Sequence, residues 1–265
     1  MDLENKHPVA LVPTMGALHA GHASLIEIAR KYSDEVVVSI FVNPLQFENP
    51  DDFSTYPKSV DADIELATAS GATNIWTPTF EEIYPNDPEI IASGEIGNLF
   101  EGVHRFGHFD GMLTVVKRLF DLVAPEYAIF GEKDFQQLFL IKRMVAQMQL
   151  PIEIIAAPTI RETNGLALSS RNQKLSVTER ENAVGIYKAL TSANSASDLT
   201  GARKNLLNGV KDIPNFLLDY AEVIDEDTFA IATDSTLKSR AIVAGWINGI
   251  RLIDNMVMSN LGNSK

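Results

Sequence analysis

Residues 9–42 read VALVPTMGALHAGHASLIEIARKYSDEVVVSIFV, and this stretch decides the fold. Val9–Val12 is a short apolar run, and a segment rich in glycine and histidine follows it. Apolar residues then recur at helical spacing over about Gly21–Tyr32, which predicts a helix. Val36–Val42 is almost entirely β-branched or aromatic, which is typical of a strand buried on both faces. Strand, loop, helix and strand in this order make one βαβ unit.

The same alternation of strands and helices continues through the first two-thirds of the chain. It predicts helices over Ser59–Ser70, Gly111–Val123 and Phe135–Leu150, and strands over Asn74–Trp76, Tyr127–Phe130 and Ile152–Ala156. We therefore expect an α/β fold with a Rossmann-like, doubly wound parallel sheet.

The pattern changes after about Pro158. Further patterns predict helices over Val177–Ala193 and Gly201–Val210, and strands over Phe216–Ile224 and Ser239–Trp246. We expect a Rossmann-like domain over residues 1–157 that binds nucleotide and substrate, and a smaller C-terminal α+β lid domain over residues 158–265.

Composition excludes several classes of protein. The net charge of −13 opposes binding to nucleic acid, because an acidic surface repels phosphate backbones. The absence of cysteine excludes disulfides, thiolate nucleophiles and zinc–thiolate sites. The N-terminus lacks the features of a signal peptide, and no apolar run reaches the ~18 residues of a membrane span. We expect a cytoplasmic protein without nucleic-acid or membrane partners and without a metal site built from side chains alone.

Met15–His22 is the first segment that suggests chemistry. It lies between the first strand and the first helix, where open parallel sheets bind ligands. The unpaired N–H groups of a helix N-terminus favour phosphate, and glycines let a ligand approach the backbone. His19 and His22 add donors for charge that develops on phosphate oxygens. The structural alternative is that one histidine caps the helix and the other is a packed side chain.

Three more segments are candidates for anion binding. Arg105–Gly111 precedes a predicted helix, Phe130–Gln137 follows a predicted strand, and Leu168–Asn172 begins the second domain. Lys133 and Arg171 supply cations for phosphates, and a carboxylate such as Asp134 can help to hold nucleotide-bound Mg²⁺. Taken singly, each segment is also compatible with a polar turn. Together they predict an enzyme that uses a nucleoside triphosphate.

These residues also carry a specific resemblance. The runs 11–16, 19–22, 39–47, 130–137, 165–172 and 251–255 resemble those of the pantothenate synthetase family in order and approximate spacing. The resemblance implies a homodimeric ligase that forms a carbon–nitrogen bond. In its reaction, ATP and pantoate give enzyme-bound pantoyl adenylate and pyrophosphate. β-Alanine then attacks the acyl carbon, which releases AMP and forms pantothenate. Mg²⁺ accompanies the ATP.

The resemblance also assigns roles to residues. His22, His19, Lys133 and Arg171 would be catalytic, and Asn43, Gln46, Gln137 and Arg105 would serve the pantoate and β-alanine sites. The implied ATP-binding set is Met15, Gly16, Ala17, Leu18, His19, Ala20, Gly21, His22, Gly131, Glu132, Lys133, Asp134, Ile160, Leu168, Ser169, Ser170 and Arg171.

Two features depart from the family's pattern. Phe106 stands where the family usually has proline, which removes a fixed backbone angle beside Arg105. Only eight residues precede Val9, where the family usually has a further strand and helix, and this predicts an exposed sheet edge or apolar surface.

Other functions remain open at this point. A cytidylyltransferase-like enzyme would explain Met15–His22 and Leu168–Asn172, but not Gln46 and Gln137 in their contexts. A tRNA synthetase fragment is disfavoured by the acidic charge and by the lack of a tRNA-binding module. The alternative from another class is an inactive nucleotide-binding module, since resemblance alone does not establish activity.

Overall fold

The computed structural model describes residues 8–48, 53–54, 56 and 59–261. Contacts divide the chain into two units. The first comprises Met1–Glu132 and Gln136–Thr159, and the second comprises Lys133–Phe135 and Ile160–Lys265. The sequence predicts a boundary after residue 157. In the structure the boundary follows Thr159, and three residues of the Phe130–Gln137 segment belong to the second unit.

The first unit contains a five-stranded parallel sheet with the order β3-β2-β1-β4-β5. Its strands are β1 (Val9–Thr14), β2 (Glu35–Ile40), β3 (Asn74–Trp76), β4 (Tyr127–Gly131) and β5 (Glu153–Ala157). The direction of strand order reverses between β1 and β4, so β1 is central and not an edge strand. Ligands of doubly wound folds bind at the carboxyl ends of the strands at this reversal.

The α-helices whose bounds lie within the described residues here are α1 (Ala20–Ala29), α2 (Val60–Ala69), α3 (Phe80–Ile83), α4 (Glu101–His104), α5 (His108–Val123) and α6 (Phe135–Gln147). The core between sheet and helices includes Val12, Ile26, Val38 and Ile129, none of which has measurable exposure. The helix predicted from residue 111 begins three residues earlier, because Gly107 takes a left-handed φ of 71° and turns the chain into His108.

The second unit packs two helices on an antiparallel sheet of order β6-β7-β8. Its elements are α7 (Val177–Asn194), α8 (Leu199–Lys211), β6 (Phe216–Asp225), β7 (Ser239–Ile247) and β8 (Ile250–Val257). Leu190 and Leu206 of the helices share a core with Val223 and Val243 of the sheet. The predicted fold class is therefore confirmed.

β8 was not predicted as a strand. It carries Arg251, Asp254 and Asn255, which are each at most 5% exposed, so it lacks the usual alternation of apolar and polar residues. Asn248 and Gly249 join it to β7 with φ values of 48° and 75°, which is the backbone of a tight hairpin turn. None of the helices in the described part of the chain is long and apolar enough to cross a membrane.

Candidate active site

The loop after β1 is held by a buried carboxylate. Ala17 N and Leu18 N donate to the two oxygens of Asp63 at 2.9 and 2.7 Å, and Asp63 is only 2% exposed. Gly16 has a φ of 83°, and a Cβ there would lie 3.0 Å from Asp63 Oδ2. The backbone here therefore requires glycine, and its N–H groups are fixed by a residue of α2.

Both histidines of the loop cap helix α1. His19 Nδ1 accepts from Gly21 N at 3.1 Å, and His22 Nδ1 accepts from His19 N at 3.2 Å. The two rings lie 4.2 Å apart between centroids. Because each Nδ1 accepts a backbone N–H, the neutral rings carry their proton on Nε2. Both histidines thus serve as caps, where the alternative had one capping and the other packing, and this is compatible with an Nε2 donor suited to a phosphate oxygen.

The predicted nucleotide residues of the first unit lie at adjacent strand ends. Met15–His22 follows β1, while Gly131 ends β4 and Glu132 comes directly after it. β1 and β4 pair directly, as Ala10 with Tyr127 and Leu11 with Ala128. The fold therefore brings two of the sequence segments together at the reversal of strand order.

Asn43 and Gln46 follow β2 and are buried, at 0% and 6% exposure. Asn43 Nδ2 donates to Gln46 Oε1 at 3.3 Å and to Gly111 O at 3.0 Å. Asn43 Oδ1 accepts from Tyr84 Oη at 3.2 Å and from Leu45 N at 3.4 Å. All four hydrogen-bonding positions of the Asn43 amide are thus used within the first unit, which suits a residue that orients Gln46.

The start of α5 fixes the same segment from the other side. His108 is buried and its Nδ1 donates to Gln46 O at 2.8 Å. A Cβ on Gly111 would lie 2.1 Å from Leu45 O, so only glycine permits this approach. Gln46 Nε2 lies 2.7 Å from Met15 Sδ, which connects the segment after β2 to the loop after β1.

Gln136 and Gln137 differ in their surroundings. The Gln136 amide donates to Ile96 O and Leu99 O, at 2.8 Å each, and accepts from Glu101 N at 3.1 Å, so it holds a neighbouring loop. Gln137, the predicted substrate residue, is half-buried.

Arg105, the predicted cation of the second substrate site, lies close to an acidic side chain. Its Nη1 lies 3.8 Å from Oε1 of Glu101, whose side chain is 6% exposed. Phe106, which stands in place of the family's usual proline, is 78% exposed.

The second unit contains a pocket with positive charge. Lys133, Ser169 and Arg171, three of the predicted ATP-binding residues, line it together with Asn172 and Asp254. Ser169 Oγ accepts from Arg171 N at 3.3 Å and begins the short helix Ser170–Lys174. The hairpin Arg161–Ala167 leads into this helix, and Leu168 N donates to Ile160 O at 2.9 Å. Ser170, Ile160 and Leu168 are not among the residues that line the pocket.

Comparisons with known proteins agree with this architecture. The family model for pantoate-beta-alanine ligase matches residues 1–257. A pantothenate synthetase from Acidothermus cellulolyticus is 48% identical over 259 residues, covering 95% of this chain and 86% of the relative. The crystal structure of pantothenate synthetase from Thermus thermophilus superposes with a TM-score of 0.90 at 40% identity, covering 95% of this chain and 93% of that one.

The chain belongs to the pantoate–β-alanine ligase family. The resemblance seen in the sequence, the ligase class and the ATP-dependent reaction are thereby confirmed. A family member from Francisella tularensis, at 38% identity and a TM-score of 0.79 over 95% of this chain and 90% of that one, was solved with beta-gamma ATP and β-alanine. The individual residue roles stay predictions.

Three groups hold the ligase's candidate residues in place, and none of them has a role predicted from the sequence. Asp63 fixes the backbone after β1, Tyr84 binds the Asn43 amide, and Asn255 donates to Lys133 O at 2.9 Å. Burial raises the pKa of the Tyr84 hydroxyl well above its usual range, against an opposing effect of the Arg118 charge. Tyr84 is therefore a hydrogen-bond donor to Asn43 Oδ1 at neutral pH.

Proposed function

We propose that this chain condenses pantoate with β-alanine in two steps, through a pantoyl adenylate. The observation that carries the proposal is the family match over residues 1–257, which includes every residue to which we assign a role. A pantoate carboxylate oxygen attacks the α-phosphorus of ATP, and the bond between the α- and β-phosphates breaks to release pyrophosphate. Positioning and charge stabilisation provide most of the catalysis, since no covalent enzyme intermediate is needed.

The residues predicted to bind ATP supply two kinds of group in this proposal, neutral donors and cations. The Nε2–H groups of His19 and His22 donate to phosphate oxygens, supported by the hydrogen bonds that fix both Nδ1 atoms as acceptors. Lys133 and Arg171 supply the positive charge for the leaving pyrophosphate, and Ser169 and Ser170 add hydroxyl donors.

The second step joins the two substrates. The neutral amine of β-alanine attacks the acyl carbon, the bond from that carbon to AMP oxygen breaks, and the amine loses its proton. Gln46 and Gln137 hold pantoate through their amides, and the interaction of Asn43 Nδ2 with Gln46 Oε1 supports a fixed Gln46. Arg105 attracts the β-alanine carboxylate, with a charge moderated by Glu101.

Magnesium fits this site as an ion that arrives with ATP. Among the described residues, no group of three or more histidine, aspartate or glutamate side chains is placed to hold a metal. Mg²⁺ commonly binds one or two carboxylates, several waters and substrate phosphates, and Asp134 offers one half-exposed carboxylate beside Lys133. When bound, the ion supplies charge neutralisation on the phosphates. The homodimer and the cytoplasmic location stay predictions.

The first experiment measures pyrophosphate release from ATP and Mg²⁺ with and without pantoate, and then amide and AMP formation after addition of β-alanine. We expect pyrophosphate only with pantoate, and amide only with β-alanine. ATP binding without turnover would support an inactive nucleotide-binding module instead. Turnover with another small carboxylic acid, but not with pantoate, would retain the adenylation chemistry and change the substrate.

A further inference from the structure

The motif Arg251–Asn255 on β8 matches the family but has no role in the reaction described above. Asn255 is 4% exposed, and its Nδ2 donates to the backbone carbonyl of Lys133 at 2.9 Å. Its Oδ1 accepts from Arg240 Nη1 at 2.6 Å. The side chain therefore lies between a buried arginine of β7 and the segment that carries the pocket lysine.

Arg240 contacts the same segment through an aromatic ring. Its guanidinium carbon lies 4.0 Å from the ring centroid of Phe135, and its Nε donates to Glu226 Oε1 at 2.6 Å. The ring of Phe229 also stacks on Phe135, with centroids 6.0 Å apart and an interplanar angle of 19°. Arg240 is 4% exposed, so this arrangement is buried and directional.

Lys133–Phe135 is thus fixed at both of its ends. Asn255 holds the carbonyl of Lys133, and the Arg240 guanidinium and the Phe229 ring contact Phe135. We infer that Asn255 and Arg240 are positioning residues that set the backbone from which Lys133 reaches the ATP phosphates. The inference rests on the proposed ATP contact of Lys133.

Backbone position matters here because lysine is a point charge on a flexible stem. Its side chain can adapt to small errors, but a displaced backbone changes the set of rotamers that reach the phosphates. Misplacement of a reacting group by about 1 Å can cost on the order of 10²-fold in rate. Residues that fix the carbonyl therefore affect ATP use without touching ATP.

Asn255→Asp is the most selective change. The aspartate keeps an oxygen that accepts from Arg240. In place of the Nδ2 donor it has a second oxygen, which faces the carbonyl oxygen of Lys133 and cannot donate to it. We expect the Kd for ATP to rise about tenfold, with the KM for β-alanine unchanged within about twofold. The measurements are equilibrium ATP binding, steady-state kinetics for each substrate, and Tm.

Glu226 and Glu222 provide a matched pair. Each accepts from an arginine Nε at 2.6 Å in the second unit, but only the arginine bound by Glu226 contacts Phe135. Glu226→Gln should raise the Kd for ATP by about threefold or more, whereas Glu222→Gln should change Tm alone. If Asn255→Asp does not fold, this pair carries the test.

A double-mutant cycle with Lys133→Ala decides whether Asn255 acts through Lys133. We expect Asn255→Asp, or Glu226→Gln, to weaken ATP binding less than about twofold further when Lys133 is already alanine. Additive losses, or a normal Kd for ATP in both variants, would overturn the inference and leave the ligase function intact. An unchanged Kd in Lys133→Ala alone would overturn both the inference and the role assigned to Lys133.

Discussion

The loop after β1 in the first unit presents neutral donors, whereas the pocket of the second unit presents cations. In the loop, Asp63 accepts hydrogen bonds from two backbone N–H groups, and His19 and His22 are fixed as caps of α1. In the pocket, Lys133 and Arg171 bring charge. Neutral donors with fixed positions discriminate by geometry, while cations act over a longer range. We therefore expect first-unit variants to affect kcat and second-unit variants to affect ATP binding.

His22 gives the largest expected effect. His22→Ala removes the Nε2 donor, and the rate of pyrophosphate release with pantoate should fall about 10²- to 10³-fold. It also removes the acceptor for His19 N, which should cost about 1 kcal/mol of stability. Single-turnover kinetics and thermal unfolding measure the two effects separately.

His22→Gln separates the cap from the chemistry. Glutamine is a favourable third helical residue because it can accept from the N-cap backbone, so Tm should return close to that of the unchanged protein. The rate should stay low. Recovery of both Tm and rate would show that His22 serves only as a cap.

Asp63 gives the second effect, and it tests whether the loop must be fixed. Asp63→Asn places an amide N–H against Ala17 N or Leu18 N, which should cost about 2–4 kcal/mol of stability and lower kcat about tenfold or more. Asp61→Asn changes an exposed acid in the same turn of α2 and should leave both unchanged. A stable, fully active Asp63→Asn would refute the idea that this carboxylate holds the loop.

Arg171 provides the contrasting effect in the second unit. Arg171→Ala should raise the KM for ATP about 10- to 100-fold, as expected for loss of a charge-assisted contact of about 1.5–3 kcal/mol, with a smaller change in kcat. Lys174→Ala, an exposed cation on the same short helix, is the control. If Arg171→Ala lowers kcat and leaves the KM for ATP unchanged, the proposed difference between the two units is wrong.

The parallel sheet and the loop after β1 were predictable because their signals are local. Val36–Val42 is almost entirely β-branched or aromatic, and Met15–His22 combines glycines with histidines at a strand–helix junction. β8 also had a local signal, the Asn248–Gly249 pair between two apolar runs. The buried polar residues that follow the turn obscured it, because they break the alternation expected of a strand.

The groups that hold the site in place were not predictable from local pattern. Asp63 stands in the first turn of a helix, where acidic residues usually face solvent and complement the helix dipole. Its role depends on contacts 45 and 46 residues away in the chain. Tyr84 and Asn255 likewise bind partners that are 41 and 122 residues distant. Such pairings become visible only once the fold brings the elements together.

Tyr84 gives the smallest expected effect, and it tests how Asn43 and Gln46 are held in the first unit. Tyr84→Phe removes the donor to Asn43 Oδ1, which should cost about 1–2 kcal/mol and raise the KM for pantoate a few-fold through Gln46. Because burial raises the folded-state pKa of Tyr84, the hydroxyl stabilises the protein fully below about pH 10, the usual tyrosine value in the unfolded chain.

Above that pH the unfolded tyrosine ionises while the folded one does not, so the stability advantage of tyrosine over phenylalanine should shrink. Denaturant unfolding of both proteins between about pH 7 and pH 11 measures this difference. A difference that grows with rising pH would mean that the folded hydroxyl ionises more readily than the unfolded one. A buried donor to Asn43 could not then account for the role of Tyr84 in orienting Gln46.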